Sequence, residues 1–238
     1  MAPAIAQNES FLETDAGMIG EPAPVQAPEA PDPVKVFIDP GHGGRDLGAR
    51  GARMELEKTV ALTIAKLVRA RLSADERLEV TISRPEDMDM PVVDRINMAN
   101  FMRASVYIGI HIDGGATPQT HPMKVYITKA KAQDSATLPA EEGAAWGSLN
   151  KNYSDKNLDL AKAMVAELKG LNAERGVDIV RTDKLFLGGL NMPAVIVEPV
   201  DLSNPEDEMR MDGNDFFNKV ADALSMAVVD YLMKTGKL

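Results

Sequence analysis

The chain has 238 residues, 45% of them apolar, enough for one sizeable hydrophobic core. Its 36 acidic and 26 basic side chains give a net charge of −10. The tail before Lys35 carries Glu9, Glu13, Asp15, Glu21, Glu29 and Asp32 without a single Lys or Arg. A mildly acidic remainder with no basic stripe excludes nucleic acid as the main partner, the lack of cysteine excludes disulfides and thiolate metal sites, and no apolar run approaches the roughly 20 residues a membrane span needs.

Residues 1–33 hold six prolines and few large apolar side chains after Leu12, the composition of a disordered, Pro/Ala-rich acidic tail. Ala4-Ile5-Ala6 has the small-x-small pattern that ends a secretory signal, so the start reads as the remnant of one. A folded domain is expected over 34–238. It opens with a strand at Val34, Val36 and Ile38, and Pro40-Gly41-His42-Gly43-Gly44 then forces the chain out of the sheet with an imidazole displayed on the turn.

From Leu56 to Leu72, apolar residues at Val60, Ile64, Leu67, Val68 and Leu72 recur at helical spacing, with Glu57 in the first turn. Leu78–Ser83 reads as a strand, Pro91–Met102 as a helix opened by proline, and Val106–Ile110 as a strand ended by His111. Met123–Thr128 reads as a strand. A polar segment of about thirty residues follows it and contains Trp146, the only tryptophan. Ser154 is placed to cap a helix reaching Leu171. Short apolar runs at Val177–Val180 and Leu185–Leu187 lead to Ala194–Glu198, a buried strand ending in a carboxylate, and an amphipathic helix covers Phe216–Met233.

Strands alternating with helices of this length indicate an α/β fold: a single domain with a twisted, mixed but largely parallel sheet of about six strands and helices on both faces. Ligands in such sheets bind beyond the carboxyl ends of the strands. His42, His111 and Glu198 fall at or just past strand ends and Glu57 lies in the helix leaving the first turn, so the fold rule gathers all four at one edge.

Two imidazoles and a carboxylate are the ligand set of many hydrolytic zinc sites, and a further carboxylate can serve as general base and acid. The assignment is His42, Glu57 and His111 as metal ligands and Glu198 as catalytic base. Each position also has an ordinary structural explanation. A glutamate in a first helical turn complements the helix dipole, and no compact motif such as HExxH is present.

Several motifs in register add what spacing cannot. IDPGHGGRDLGARG (38–51), Glu57-Lys58, Ser83-Arg84, Asp94-Arg95 with Ala99-Asn100, IGIHID (108–113) and MPAVIVEPVDLSN (192–204) together resemble the zinc-dependent N-acetylmuramoyl-L-alanine amidases of the type 3 family. The resemblance runs from about Val34 to Leu232. It implies one catalytic Zn2+ per chain and cleavage of the amide joining muramic acid to L-alanine in peptidoglycan. The partners implied are the stem peptide and its glycan, and the location a periplasmic or secreted one. His42, Glu57 and His111 match the family's zinc ligands, and Glu198 matches its catalytic glutamate.

Gly109, Asp113 and Pro199-Val200-Asp201 depart from the family pattern and are expected to line the site; Asp113 could orient His111 or meet an ammonium on a substrate, with a plain loop aspartate the preferred reading. They motivate an alternative reading as a zinc hydrolase of another peptide or amide; a catalytically silent wall-binding homologue is a third. His121 reads as a loop histidine. The 130–157 segment, with Glu141, Glu142 and Trp146, stands where some relatives carry a blocking helix, but Gly143 and Gly147 weaken a helix there. With no wall-binding module visible in the sequence, targeting is expected from a protein activator or partner, from the tail, or from the groove itself.

Overall fold

A computed structural model describes residues 31–114, 122–129, 149–183 and 185–238, and residues 32–238 form one compact unit. The expected tail and the Ala4-Ile5-Ala6 pattern lie almost wholly outside the described residues. In chain order the elements are β1 (Val34–Pro40), α1 (Glu57–Leu72), β2 (Leu78–Ile82), α2 (Val92–Phe101), β3 (Val106–Ile110), β4 (Met123–Thr128), α3 (Ser154–Leu168), β5 (Val177–Thr182), the one-turn α4 (Leu185–Gly188), β6 (Ala194–Glu198), α5 (Pro205–Arg210) and α6 (Asn214–Lys234).

Two local expectations differ from the structure. Ser154 is the first residue of α3 and not its cap. A 3-10 turn (Leu149–Tyr153) runs straight into the helix, so the chain is already coiled when it reaches the serine. The helix α5 is absent from the sequence reading because six residues are too few for a hydrophobic period. Its start signal was nonetheless there: Asn204 accepts from the Glu206 amide at 2.9 Å, with proline at the next position.

The strands form one sheet in the order β2-β1-β3-β6-β4-β5. Every neighbouring pair is parallel except β4 with β6, which runs antiparallel with Lys124 opposite Glu198 and Tyr126 opposite Ile196. Because side chains alternate along a strand, each strand feeds both faces. Val36, Ile38, Ile108, Ile110, Val125, Ile127, Val195 and Val197 face the main core with Ile64 and Val68 of α1, Leu160 and Met164 of α3, and Leu224 and Val228 of α6. Phe37, Tyr107, Ala194 and Ile196 face the smaller layer built from Ile96 and Ala99 of α2 and Leu187 of α4.

The same alternation sets the site. Continued along each strand, the second face carries Asp39 after Phe37, His111 after Tyr107, Glu198 after Ile196, and Lys124 and Tyr126 on β4. Polar side chains therefore collect at the strand ends on the face whose apolar layer is thinner, while the opposite face stays a continuous core.

Candidate metal centre

The turn after β1 is held rigidly. The Gly41 amide makes its last sheet-like bond to the Ile110 carbonyl (2.9 Å), and His42 then adopts φ +58°, a left-handed conformation that non-glycine residues avoid. Two buried arginines fix it there. Arg84 donates to the carbonyls of Pro40 (3.0 Å), Gly41 (2.6 Å) and Lys58 (2.9 Å), and Arg95 donates to those of Pro40 (2.5 Å) and His42 (2.5 Å). Arg95 also pairs with the buried Asp39 at 2.8 Å, and Asp39 accepts further bonds from Ser83 and Tyr107, each at 2.5 Å. The strained turn is thus anchored to a neutralised polar cluster beneath it.

Glu57 begins α1 and is only 5% exposed. The loop before it folds back, so the Glu57 amide donates to the Ala49 carbonyl (2.9 Å) and the Ala49 amide donates to Glu57 Oε2 (2.8 Å). The Ile112 amide reaches Oε1 at 3.0 Å. Each carboxylate oxygen then meets an imidazole: His42 Nε2 lies 3.1 Å from Oε2, and His111 Nδ1 lies 3.0 Å from Oε1. On its far side His42 places Nδ1 2.9 Å from Asp46 Oδ2. The two rings stand nearly edge to face, with centroids 5.2 Å apart.

Burial works to raise the Glu57 carboxyl, but bonds from His111, His42 and the two amides outweigh it and hold the group well below the usual carboxylate range. The bond to Glu57 correspondingly raises His42 against the opposing effect of its own desolvation, with Asp46 adding to the rise. A carboxylate this deep needs a positive charge beside it. One ligand atom each from His42, Glu57 and His111 lies within 4.8 Å of the others, and a divalent cation fits that charge requirement. Two imidazole nitrogens and one carboxylate oxygen are a donor set suited to zinc.

Two glycines are required by this packing. A Cβ on Gly41 would sit 2.4 Å from the His111 ring, and one on Gly48, at φ +66°, would sit 2.6 Å from Glu57 Oε2. The glycines make room for the ligating side chains themselves.

Glu198 lies outside this group of three. The His111 amide bonds the Val197 carbonyl at 3.0 Å, which brings His111 and Glu198 to the same level of adjacent strands. Glu198 Oε2 accepts from the Tyr126 hydroxyl at 2.9 Å. Burial, followed by the Glu198 charge, raises the Tyr126 phenol well above its ordinary value, so it remains a donor. Lys124, on the same face of β4, forms a close ion pair with Asp113. Beside the histidines lies a cleft of about 350 Å³ walled by Met90, Pro91, Val92, Arg45 and Asp89.

The departing residues differ in where they lie. Gly109 does not line the site: it lies inside β3, and its missing side chain is replaced by Ile196, whose Cγ1 would be 2.8 Å from an added Cβ. Asp113 does not orient His111. Its carboxylate is taken by Lys124, and its backbone bridges to the 200–202 segment through Asp113 N to Val200 O (2.9 Å) and Leu202 N to Asp113 O (2.8 Å). Pro199, Val200 and Asp201 line, with Asp113 and Glu198, a small space of about 10 Å³, while Val200 also packs in the main core and Asp201 also accepts from the Ser203 amide and hydroxyl. Tyr126, Lys124, Asp39 and Asp46 were missed. The polar positions 124 and 126, alternating with Met123, Val125 and Ile127, were the available signal on β4. His121, Glu141, Glu142 and Trp146 lie outside the described residues.

The chain is 27% identical to the N-acetylmuramoyl-L-alanine amidase AmiA of Escherichia coli, with 97% of this chain and 86% of that protein aligned. It is 28% identical to AmiC of Neisseria meningitidis, again named an N-acetylmuramoyl-L-alanine amidase, over 92% of this chain but 58% of that longer protein. Among solved structures, an N-acetylmuramoyl-L-alanine amidase from Clostridium difficile superposes with a TM-score of 0.72 at 25% identity, covering 87% of this chain and 100% of that one. The catalytic domain of CwlV from Bacillus (Paenibacillus) polymyxa gives 0.67 at 25% identity, covering 84% and 98%. The profile of the family described as N-acetylmuramoyl-L-alanine amidase matches residues 36–230, and the chain belongs to that family.

Proposed function

We propose that this protein cleaves the amide bond between N-acetylmuramic acid and the L-alanine of the peptidoglycan stem peptide, with one Zn2+ held by His42, Glu57 and His111 and with Glu198 as the base. The observation that carries the reading is the buried Glu57 carboxylate set between two imidazoles at 3.0 and 3.1 Å. Bound there, zinc would supply a Lewis acid that polarises the amide carbonyl and lowers the pKa of water towards about 7.

The chain's own residues supply the rest. Glu198 takes a proton from the attacking water and delivers it to the amide nitrogen as the carbon–nitrogen bond breaks, leaving a free carboxylate on the lactyl group and a free amine on the alanine. Asp46 fixes the His42 ring through Nδ1, leaving Nε2 for the metal. Arg84 and Arg95 hold the turn that carries His42, so the ligand is in place before substrate arrives. The cleft beside the histidines is of a size to take a sugar or a short peptide segment. Such a substrate places the protein in the cell envelope or outside the cell, where a protein activator or targeting partner would direct it. No helix among the described residues is long and apolar enough to cross a membrane.

The test is metal analysis combined with mass spectrometry of digested sacculi. Wild type is expected to bind one zinc and release free stem peptides. His42→Ala should lose the metal, and Glu198→Ala should keep it and lose turnover. Equal activity in all three proteins would refute the mechanism, and stoichiometric zinc without peptide release would point to a different amide substrate.

A further inference from the structure

We infer that Tyr126 is a positioning residue for the catalytic carboxylate: its hydroxyl locks Glu198 into the orientation from which it takes and returns the proton. The inference rests on the proposed role of Glu198 as base.

The topology explains why a residue in the middle of β4 can do this. In a parallel sheet, neighbours at the carboxyl edge of a strand are themselves strand ends, followed by loops. Among the described strands β4 alone runs antiparallel to its neighbour β6, so the carboxyl end of β6 lies against the first half of β4, where the backbone is fixed by ladders to β5 and β6 on its two sides. Lys124 stands opposite Glu198, and Tyr126 stands opposite Ile196, two residues back on the same face. A tyrosine is long enough to reach diagonally from that position, and its hydroxyl meets Glu198 Oε2 at 2.9 Å.

A glutamate has three rotatable side-chain bonds, and a free one at a strand end samples many rotamers. A bond from a rigid ring to one carboxylate oxygen removes most of that freedom and sets the direction of the other oxygen. The phenol's ionisation is pushed up by burial and by the nearby carboxylate, so at neutral pH it keeps its proton and can only donate. Tyr126 therefore neither competes with Glu198 as a base nor needs to touch substrate. The neighbouring cation is committed elsewhere, because Lys124 is paired with Asp113. The ring itself packs against the Ile196 layer, so a phenylalanine preserves the packing and removes only the hydroxyl.

The experiment compares zinc-loaded wild type, Tyr126→Phe, Glu198→Asp and the double variant on purified sacculi. Tyr126→Phe is expected to bind zinc stoichiometrically, melt within a degree or two of wild type, keep its KM and lose about ten- to a hundredfold in kcat. Aspartate is one methylene shorter and withdraws from the hydroxyl, so Tyr126→Phe should have almost no further effect in that background. Full kcat in Tyr126→Phe would overturn the inference. So would a raised KM with unchanged kcat, or an equal loss in both backgrounds. A wild-type protein that releases no stem peptide would instead overturn the proposed function on which the inference depends.

Discussion

Arg84 and Arg95 converge on a single acceptor, the carbonyl oxygen of Pro40, at 3.0 and 2.5 Å. Two guanidinium groups this close repel one another, and the Arg84 pKa is lowered by burial first and by Arg95 second. The arrangement holds because Asp39 neutralises Arg95 and because backbone carbonyls accept the remaining donors.

Arg95→Met should leave Asp39 buried without its counter-ion. The expected cost is about 3–5 kcal/mol of folding stability, measurable by chemical denaturation, because removing the partner leaves an uncompensated charge buried. The His42 carbonyl also loses its donor, so the surviving folded protein should hold zinc more weakly, by roughly ten- to a hundredfold in a competition with a chelator. Unchanged metal affinity would show that the clamp is purely structural.

Gly41→Ala tests the packing of the second imidazole. The new methyl would sit 2.4 to 2.7 Å from three atoms of the His111 ring, closer than any tolerable contact. His111 must swing away from Glu57, and zinc retention in the chelator competition should fall sharply while the melting temperature of the metal-free protein changes little. Retained affinity would mean that the backbone yields instead of the ring.

Gly109→Ser probes the most conspicuous departure beside the second histidine. Its Cβ would meet Ile196 Cγ1 at 2.8 Å, an overpacking that costs about 1–3 kcal/mol. The double variant Gly109→Ser with Ile196→Val should recover part of the loss. Calorimetry checks this, and a Gly109→Ser protein as stable as wild type would contradict the account of Ile196 as the residue that fills the gap.

Tyr231, at 2% exposure in α6, contributes to a response to alkaline pH. Burial, followed by the Asp159 charge, pushes its phenol up to about 12 from an ordinary value of 10.0. Between those values the unfolded chain has released a proton that the folded chain retains, so stability is complete below pH 10 and declines as pH rises towards 12. Tyr231→Phe should make that decline shallower in denaturation midpoints measured across the range, and a decline identical to that of wild type would contradict the role given to the Tyr231 phenol.

Much of the fold was legible because it depends on patterns local to the chain. Helical spacing from Val60 to Leu72 and the apolar runs 106–110, 123–128 and 194–198 located elements to within a residue or two. The gathering of His42, Glu57 and His111 was also accessible, since strand ends of a largely parallel sheet share one edge, the two histidines could be placed past such ends, and Glu57 in the first turn of the helix that follows.

What the sequence by itself determined was therefore which side chains reach the carboxyl edge of the sheet; what only the tertiary structure decided was what each of them touches there. The reversal of β4 is not written in the Met123–Thr128 pattern, because alternation is identical in parallel and antiparallel strands, yet that reversal alone delivers Tyr126 to Glu198. The use of Gly41 depends on a ring 70 residues later in the chain, and the fate of Asp113 depends on Lys124. Secondary structure follows short-range backbone preference and periodicity, whereas contacts between separate strands and loops follow from register and packing, which no local stretch encodes.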